Sequence, residues 1–490
     1  MGGKKATKTR AIVLEILMEL LPERETAAPI KDNLLIRDVL DKYDYMDVRD
    51  KSFIKRLAEG CVEQKITLDY VIGQYSRTGV GKMKPVILNI LRMGVYQILY
   101  METVPDSAAC NEAVNLAVGK GFQGLKGFVN GVLRAVSREK EQIIWPSKEN
   151  LEQYFSVRYS MPIWLVHMWS KRYGAETVEK MLAEFQKPSA LTIRLKETLT
   201  KGQQEQWKEK AALQGCRISE HPYLSYAYRL EHVDGVAKIY GYEEGMFAVQ
   251  DISSMLAVEL AGIREGDLVI DVCAAPGGKA MHAAEKTGIN GVVDARDISE
   301  YKLGFIRDNA MRLHPDMMEK DRIRIQTWDA AVLDESMLGK ADVVIADLPC
   351  SGLGVIGHKA DIRYRVTEEQ IRELSELQRK ILGTVYRYLK PGGILLYSTC
   401  TISEEENEKN AAWILEQLPM EAVPLETEML LKTGMSKKTD MSGSANITSE
   451  SDKLSELGMP DGSNQLQLLP GIHQSDGFFI AKFRRKQDGC

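Results

Sequence analysis

Between residues 246 and 420, short apolar runs alternate with helical stretches, and this alternation limits the possible folds more than any other feature. The runs are Leu268–Val272, Gly291–Ala295, Ile323–Thr327, Val343–Ala346 and Ile394–Tyr397, with helices such as Tyr301–Leu313 and Glu368–Leu389 between them. Short buried strands separated by helices predict a doubly wound, mostly parallel α/β sheet. Such sheets bind ligands beyond the carboxyl ends of their strands. Each run leads into a polar or glycine-rich step. In order these are Cys273-Ala274-Ala275-Pro276-Gly277-Gly278-Lys279, Arg296-Asp297, Trp328-Asp329, Asp347-Leu348-Pro349-Cys350 and Ser398-Thr399-Cys400. Five insertions are therefore expected to converge on one crevice.

The rest of the chain reads differently. Residues 1–145 form an all-helical domain: Phe53, Ile54, Leu57, Cys61, Val62 and Ile66 repeat at helical spacing, as do Ile87, Ile90, Leu91, Val95, Ile98 and Leu99. Trp145-Pro146-Ser147 marks a boundary. Residues 146–245 mix helices with short strands at Leu191–Leu195, Arg217–Ser219 and Tyr226–Leu230, a small α+β domain. Residues 246–490 make the α/β domain, interrupted at 430–466 by a Ser/Thr/Gly-rich insertion expected to be disordered. Phe478–Phe483 resumes as a closing strand.

Composition removes several function classes. At 44% hydrophobic and 27% charged the chain is that of a soluble globular protein, and no apolar run nears the roughly 18 residues of a membrane helix. No secretory leader is recognisable. The seven cysteines are odd in number, widely spaced and without a C-x-x-C pair, which weighs against a disulfide framework and a structural zinc site and favours a reducing cytoplasm. The net charge of −5 conceals a split. Residues 1–150 carry 23 Lys/Arg against 19 Asp/Glu, a net of +4, whereas 401–470 carry 5 against 13, a net of −8.

Residues 274–278 are small, so a ligand can approach the backbone with a helix N-terminus behind it. A phosphate-cradling loop does not fit, because Ala280 follows Gly278-Lys279 and Cys273 stands where the first glycine belongs; a G-x-G-x-x-G fingerprint is also missing. Asp297 is placed to accept hydrogen bonds from ribose hydroxyls, with Asp294 as its positional rival. Asp329 falls where an adenine amino group would lie. Two cysteines facing one cleft, Cys350 and Cys400, suit a metal pair, a disulfide, buried packing or nucleophiles. No further metal ligands stand at the right spacing. A thiolate with a neighbouring acid, Asp347, is what addition to a pyrimidine requires: sulfur adds to C6, N3 is protonated, and C5 becomes nucleophilic enough to take an electrophilic methyl.

Together DVCAAPGGK, DLPCSGLGV and YSTC resemble the RNA cytosine-C5 methyltransferases that use S-adenosyl-L-methionine, and GMFAVQDISSMLA (Gly245–Ala257) and DGFFIAKF (Asp476–Phe483) extend the likeness. LRMGVYQILYMETVPDSAACNEAVNLA and FVNGVLR resemble the NusB-type helical RNA-binding domain. The fusion points to the B-type subfamily of small subunit ribosomal RNA methyltransferases. The resemblance implies Cys400 as the nucleophile, Cys350 as the group assisting release, and Asp347 as the contact to cytosine N3. It implies that Cys273, Ala274, Ala275, Pro276, Gly277, Gly278, Lys279, Asp297, Asp329 and Asp347 bind the cofactor. The implied partner is 16S ribosomal RNA, met by a monomer without metal or membrane. The chain departs from the family at Leu348 (often Ala), at Ala360 in Gly357–Tyr364 (often Pro), and at Trp328 (usually Gly). Alternatives are the same chemistry on transfer RNA or 23S RNA, a non-catalytic RNA-binding or antitermination factor, and a dehydrogenase. The two cysteines with Asp347 disfavour the factor, and the missing dinucleotide fingerprint disfavours the dehydrogenase.

Overall fold

The computed structural model describes residues 2–21, 46–188, 190–233, 235–425 and 463–487, with side chains from residue 8 onward. The chain divides into two compact units, one of Met1–Lys187 with Ile356–Arg365, the other of Pro188–Val355 with Val366–Cys490.

The first unit is helical. Its elements are α1 (Gly2–Leu20), α2 (Val48–Glu63), α3 (Lys65–Tyr75), α4 (Pro85–Tyr100), α5 (Asp106–Gly119), α6 (Lys126–Glu139), α7 (Leu151–Arg158) and α8 (Ile163–Glu184). Of the apolar positions read at helical spacing, Ile54, Leu57, Cys61, Val62, Ile87, Ile90, Leu91, Val95 and Ile98 are buried in one core, and Phe53 and Leu99 pack half-buried against it. Pro85 opens α4 at the position where a missing N–H costs nothing. One buried charge is satisfied inside this core, with the Arg92 guanidinium forking onto Asp69 at 2.6 and 2.7 Å. The segment 356–365, read from sequence as part of the α/β domain, packs with these helices. The Arg363 guanidinium donates to the Ser160 carbonyl at 3.2 Å, and the Tyr364 and Ser160 hydroxyls are 2.9 Å apart.

The second unit holds two sheets. The smaller is antiparallel in the order β2 (Arg217–Glu220), β3 (Ala227–Glu231), β1 (Leu191–Leu195), β4 (Phe247–Val249), and α9 (Lys201–Leu213) packs on it through the fully buried Trp207. The segment 146–245, expected as one domain, is thus shared: α7 and α8 go with the first unit, the strands and α9 with the second.

The larger sheet runs β10 (Met420–Ala422), β12 (Phe478–Arg485), β9 (Leu389–Thr399), β8 (Ala341–Asp347), β5 (Leu268–Asp271), β6 (Val292–Asp297), β7 (Ile323–Thr327), with β11 (Gln465–Leu468) paired to β12. Pairs β7·β6·β5·β8·β9 are parallel and those made by β12 antiparallel. Helices α10 (Ile252–Ala261), α11 (Gly278–Thr287), α12 (Glu300–Leu313), α13 (Glu368–Val385) and α14 (Glu408–Gln417) accompany it. The chain runs outward from β5 to β7, then returns to β8. That places the topological switch point between the carboxyl ends of β5 and β8, where ligands of such sheets bind. Of the expected insertion 430–466, residues 430–462 lie outside the described residues. The remainder corrects the reading, because β11 begins at Gln465. The alternation Gln465-Leu466-Gln467-Leu468 sends both leucines into the core, as a half-buried strand requires.

Candidate active site

Strand β5 ends at Asp271, which is almost wholly buried. The next residues turn sharply through a cis Ala275-Pro276 bond into α11. Gly277 takes φ 106°, a conformation open to glycine and disfavoured for side-chain-bearing residues, and a Cβ there would press at 3.4 Å on the Ile306 backbone. Asp297 ends β6 and reaches across to this loop. Its carboxylate accepts from the Ala275 amide at 3.3 Å and from the Ser299 amide at 3.0 Å. Asp294 is not its equal. It is buried and tied to Arg296 at 2.6 Å and to Gln326, which makes it a structural acid. Asp329 stands exposed beyond β7 and accepts from the Ala331 amide at 2.9 Å.

Asp347 ends β8 at the switch point. The Lys279 ammonium lies 2.6 Å from its Oδ2, and the Ser398 hydroxyl donates to its Oδ1 at 2.9 Å. Lys279 also donates to Ser254 at 3.1 Å. Burial opposes the charge on Lys279, yet Asp347 and Asp271 outweigh it and raise its pKa. Burial pushes Asp271 up to about 7, with Asp347 and Asp297 adding to the rise against the pull of Lys279. Three acids therefore gather about one lysine. Among the described residues no side chain hydrogen-bonds the Asp271 oxygens, and the Cys273 backbone amide pulls against the rise. An acid-rich, glycine-floored pocket fits S-adenosylmethionine, which carries a sulfonium, an ammonium and ribose hydroxyls.

The two cysteines meet. Cys350 Sγ and Cys400 Sγ are 3.3 Å apart, both half-buried, and both are free thiols. The hydrogen bond to Cys400, reinforced by burial, holds the Cys350 proton on well above the usual thiol range. Cys273 is raised as well, by burial and then by the surrounding acids, and is a poor nucleophile. Gly354 packs its backbone directly on Gly477, and its amide donates to the Cys400 carbonyl at 3.0 Å; a Cβ at Gly354 would overlap the Gly477 carbonyl. The site residues read from sequence fall into two neighbouring groups, the loop and acids at the ends of β5, β6 and β8 and the thiols beyond β8 and β9. Asp329 accepts locally from the Ala331 amide and, with the other acids, raises Cys273 of the loop.

Sequence reasoning missed Asp271 and the polar frame under the thiols: Ser351, Gln378, Thr401, Glu406 and Asn407. Asp271 was visible as the acid opening DVCAAPGGK. Glu406 was not, because it ends a run Glu404-Glu405-Glu406 that reads as solvated charge, yet its side chain is fully buried.

Residues 258–484 match the family described as 16S rRNA methyltransferase RsmB/F, and residues 7–138 match the NusB family. Over 487 residues the chain is 31% identical to the probable ribosomal RNA small subunit methyltransferase B of Bacillus subtilis (strain 168), covering 98% of this chain and 100% of that one. Its identity to the ribosomal RNA small subunit methyltransferase B of Salmonella arizonae is 31% over 484 residues, covering 99% and 100%. Among solved structures, the crystal structure of PH0851 shares the fold, with a TM-score of 0.72 at 22% identity over 97% of this chain and 98% of that one.

Proposed function

Because the chain belongs to the ribosomal RNA small subunit methyltransferase B family, we propose that it methylates C5 of one cytosine in 16S ribosomal RNA with Cys400 as nucleophile. The observation that carries the chemistry is the 3.3 Å approach of the two thiols beside Asp347, and the family likeness supports the division of roles between them. S-adenosylmethionine, when bound, supplies an electrophilic methyl group. Cys273–Lys279, Asp297, Asp329 and Asp347 would hold it. Cys400 adds to C6 of the base and makes C5 nucleophilic. Asp347, steadied by Lys279 and Ser398, meets N3. After transfer, Cys350 assists release. Once Cys400 is bonded to carbon it no longer shares a proton with Cys350, so the bond that raised the Cys350 pKa is gone. A paired base leaves its stack to reach such a site.

The NusB-like residues 1–145 hold flanking RNA through phosphate contacts and shape, and the second unit, residues 188–355 with 366–490, catalyses. The free thiols fit a reducing compartment, the cytoplasm, and no helix among the described residues is long and apolar enough to cross a membrane. The test is methyl transfer from labelled S-adenosylmethionine to protein-free 16S RNA, mapped at nucleotide resolution. One labelled cytosine, lost in Cys400→Ala, with a covalent RNA adduct accumulating in Cys350→Ala, is the expected result. Adduct persisting in Cys400→Ala, or label only on transfer RNA or 23S RNA, overturns it.

A further inference from the structure

Beneath the two thiols lies a buried polar frame that the reaction above does not use. Glu406 and Asn407 are adjacent in sequence, both fully buried, and each holds a different cysteine-bearing loop. Glu406 takes the loop of Cys350: it accepts from the Ser351 amide at 2.8 Å and from the Ser351 hydroxyl at 2.5 Å. Gln378 joins the same group, donating to Glu406 at 3.2 Å and to the Pro349 carbonyl at 2.8 Å. The residues flanking Cys350 on both sides are thereby fixed. Asn407 takes the loop of Cys400. It accepts from the Thr399 hydroxyl at 2.6 Å and donates to the Thr401 carbonyl at 3.1 Å. The residues flanking Cys400 are fixed likewise. The two halves join through the Ser351 and Thr401 hydroxyls, 2.6 Å apart.

A buried carboxylate costs several kcal/mol unless its hydrogen bonds are satisfied, so a chain that keeps one gains something from its position. Burial raises the pKa of Glu406, and the donors from Ser351, Gln378 and Ser403 pull against that rise. The acid makes no ion pair in this frame, and its partners are the loop that carries Cys350, a glutamine serving the same loop, and Ser403. The frame therefore bears on where that thiol sits.

We propose that Glu406 and Asn407 are positioning residues for the two thiols, Glu406 governing release through Cys350 and Asn407 governing attack through Cys400. The inference rests on the thiol roles proposed above. The frame adds no chemical step. Attack forms the C6–S bond. Once Cys400 is bonded to C6, Cys350 gives its own proton to solvent; release then passes the C5 proton to the Cys350 thiolate, re-forms the C5–C6 double bond from the C5–H pair, returns the C6–S pair to Cys400, and N3 gives its added proton back to Asp347. Displacing either sulfur by a fraction of an ångström slows only the step that sulfur performs.

The two residues therefore fail in opposite directions, which a loss of general stability does not do. In single turnovers with labelled S-adenosylmethionine and 16S RNA, Glu406→Gln and the milder Ser351→Ala build up covalent RNA adduct to several times the wild-type fraction, with turnover down about tenfold. Asn407→Ala and the milder Thr399→Val form adduct about tenfold more slowly and accumulate none. S-adenosylhomocysteine affinity stays within about twofold in all four, since the frame lies outside the acid cluster. Equal shifts in the same direction for both pairs, or wild-type partition in the folded variants, overturn the proposal. Cys350→Ala is the internal control. Adduct in that variant with no change in the frame variants rejects the frame alone, whereas no adduct in Cys350→Ala rejects the thiol roles and the frame with them.

Discussion

Two clusters of buried charge sit in the second unit, and they differ in completeness. Around α10 and α11, Glu259 meets Lys286 at 2.6 Å, His282 at 3.3 Å and the Tyr226 hydroxyl, while Glu285 meets Arg194. Lys286 also reaches Glu197 at 2.6 Å. Glu197, Glu259 and His282 are spaced as metal ligands would be, but the Lys286 ammonium already bridges the two carboxylates. Burial opposes ionisation of Glu259, yet His282 and Lys286 prevail and bring it down to about 2, while burial drives His282 down to about 3 and keeps it neutral. At the ends of β5, β6 and β8 the balance is broken. Asp271, Asp297 and Asp347 share one cation, Lys279, and Asp271 responds by rising to about 7. A closed cluster ties elements together. One with acid in excess is suited to a cationic ligand.

Breaking the closed cluster gives the largest effect, on stability alone. Glu259→Gln leaves Lys286, half-buried, with Glu197 alone and sets His282 and Tyr226 beside a neutral amide, so the cost falls at the low end of that for breaking a buried pair, about 3 kcal/mol. Urea unfolding reads that loss, while methyl transfer by the folded fraction stays near wild type. Lys279→Met, in the open cluster, has the opposite profile. It removes the partner 2.6 Å from Asp347, and methyl transfer falls by about a hundredfold. Equal losses of stability and activity in both variants would erase the distinction between the clusters.

The pH dependence sharpens it next. A carboxyl whose folded pKa lies above its unfolded value favours folding while it is protonated. For Asp271 that contribution is complete below about pH 4 and is lost as the pH rises through about 7. His282 works the other way: its pKa is depressed in the fold, so its contribution is present above about 6.5 and is lost as the pH falls towards 3. Asp271→Asn stays neutral throughout. Relative to wild type it gains on the order of 2–3 kcal/mol between pH 5 and pH 8, read as the difference in unfolding free energy at the two pH values. A cationic ligand favours the ionised acid, so S-adenosylmethionine, with its sulfonium, binds the wild type more tightly as the pH rises through 7. Asp271→Asn flattens that slope, and an unchanged slope would remove Asp271 from the pocket's electrostatics.

These contrasts also mark what was legible in the sequence. The five strand-end steps were, because a parallel sheet writes each strand as a short apolar run and each ligand contact as the polar residues after it. Ile323–Thr327 matches β7 at both ends, while Val343–Ala346 falls short of β8 by two residues at its start and one at its end. The thiol pair was legible too, since both cysteines follow adjacent strands. The sharing of 146–245 between units was not, because α7 and α8 carry no sequence mark of the core they join. Nor was the capture of 356–365 by the helical unit, which depends on Arg363 and Tyr364 finding Ser160 about 200 residues away. Glu406 was hidden for the same reason: burial of one acid in an acidic run is decided by tertiary partners, not by neighbours in sequence.

The smallest expected effect separates the two remaining acids. Asp297 is anchored by two backbone amides, one of them from the loop itself, so its carboxylate is already oriented at the end of β6. Asp329 is exposed, and the hydrogen bond it accepts from the Ala331 amide two residues on is a local turn contact. Orientation decides how much a hydrogen bond to a ligand is worth, because a preorganised group loses no freedom on binding. A carboxylate that bonds ribose hydroxyls contributes about 1.5–3 kcal/mol, whereas an exposed one competing with water contributes far less. Asp297→Asn should therefore weaken S-adenosylhomocysteine binding by about tenfold or more, and Asp329→Asn by about two- to threefold, both read by calorimetry at one pH. The reverse order would place the ligand's polar end beyond β7 and shift the centre of the open cluster away from Asp271 and Asp347. With the expected order, the ligand lies along the same edge as the acid excess, and the electrostatic reason for the pocket and its geometry coincide.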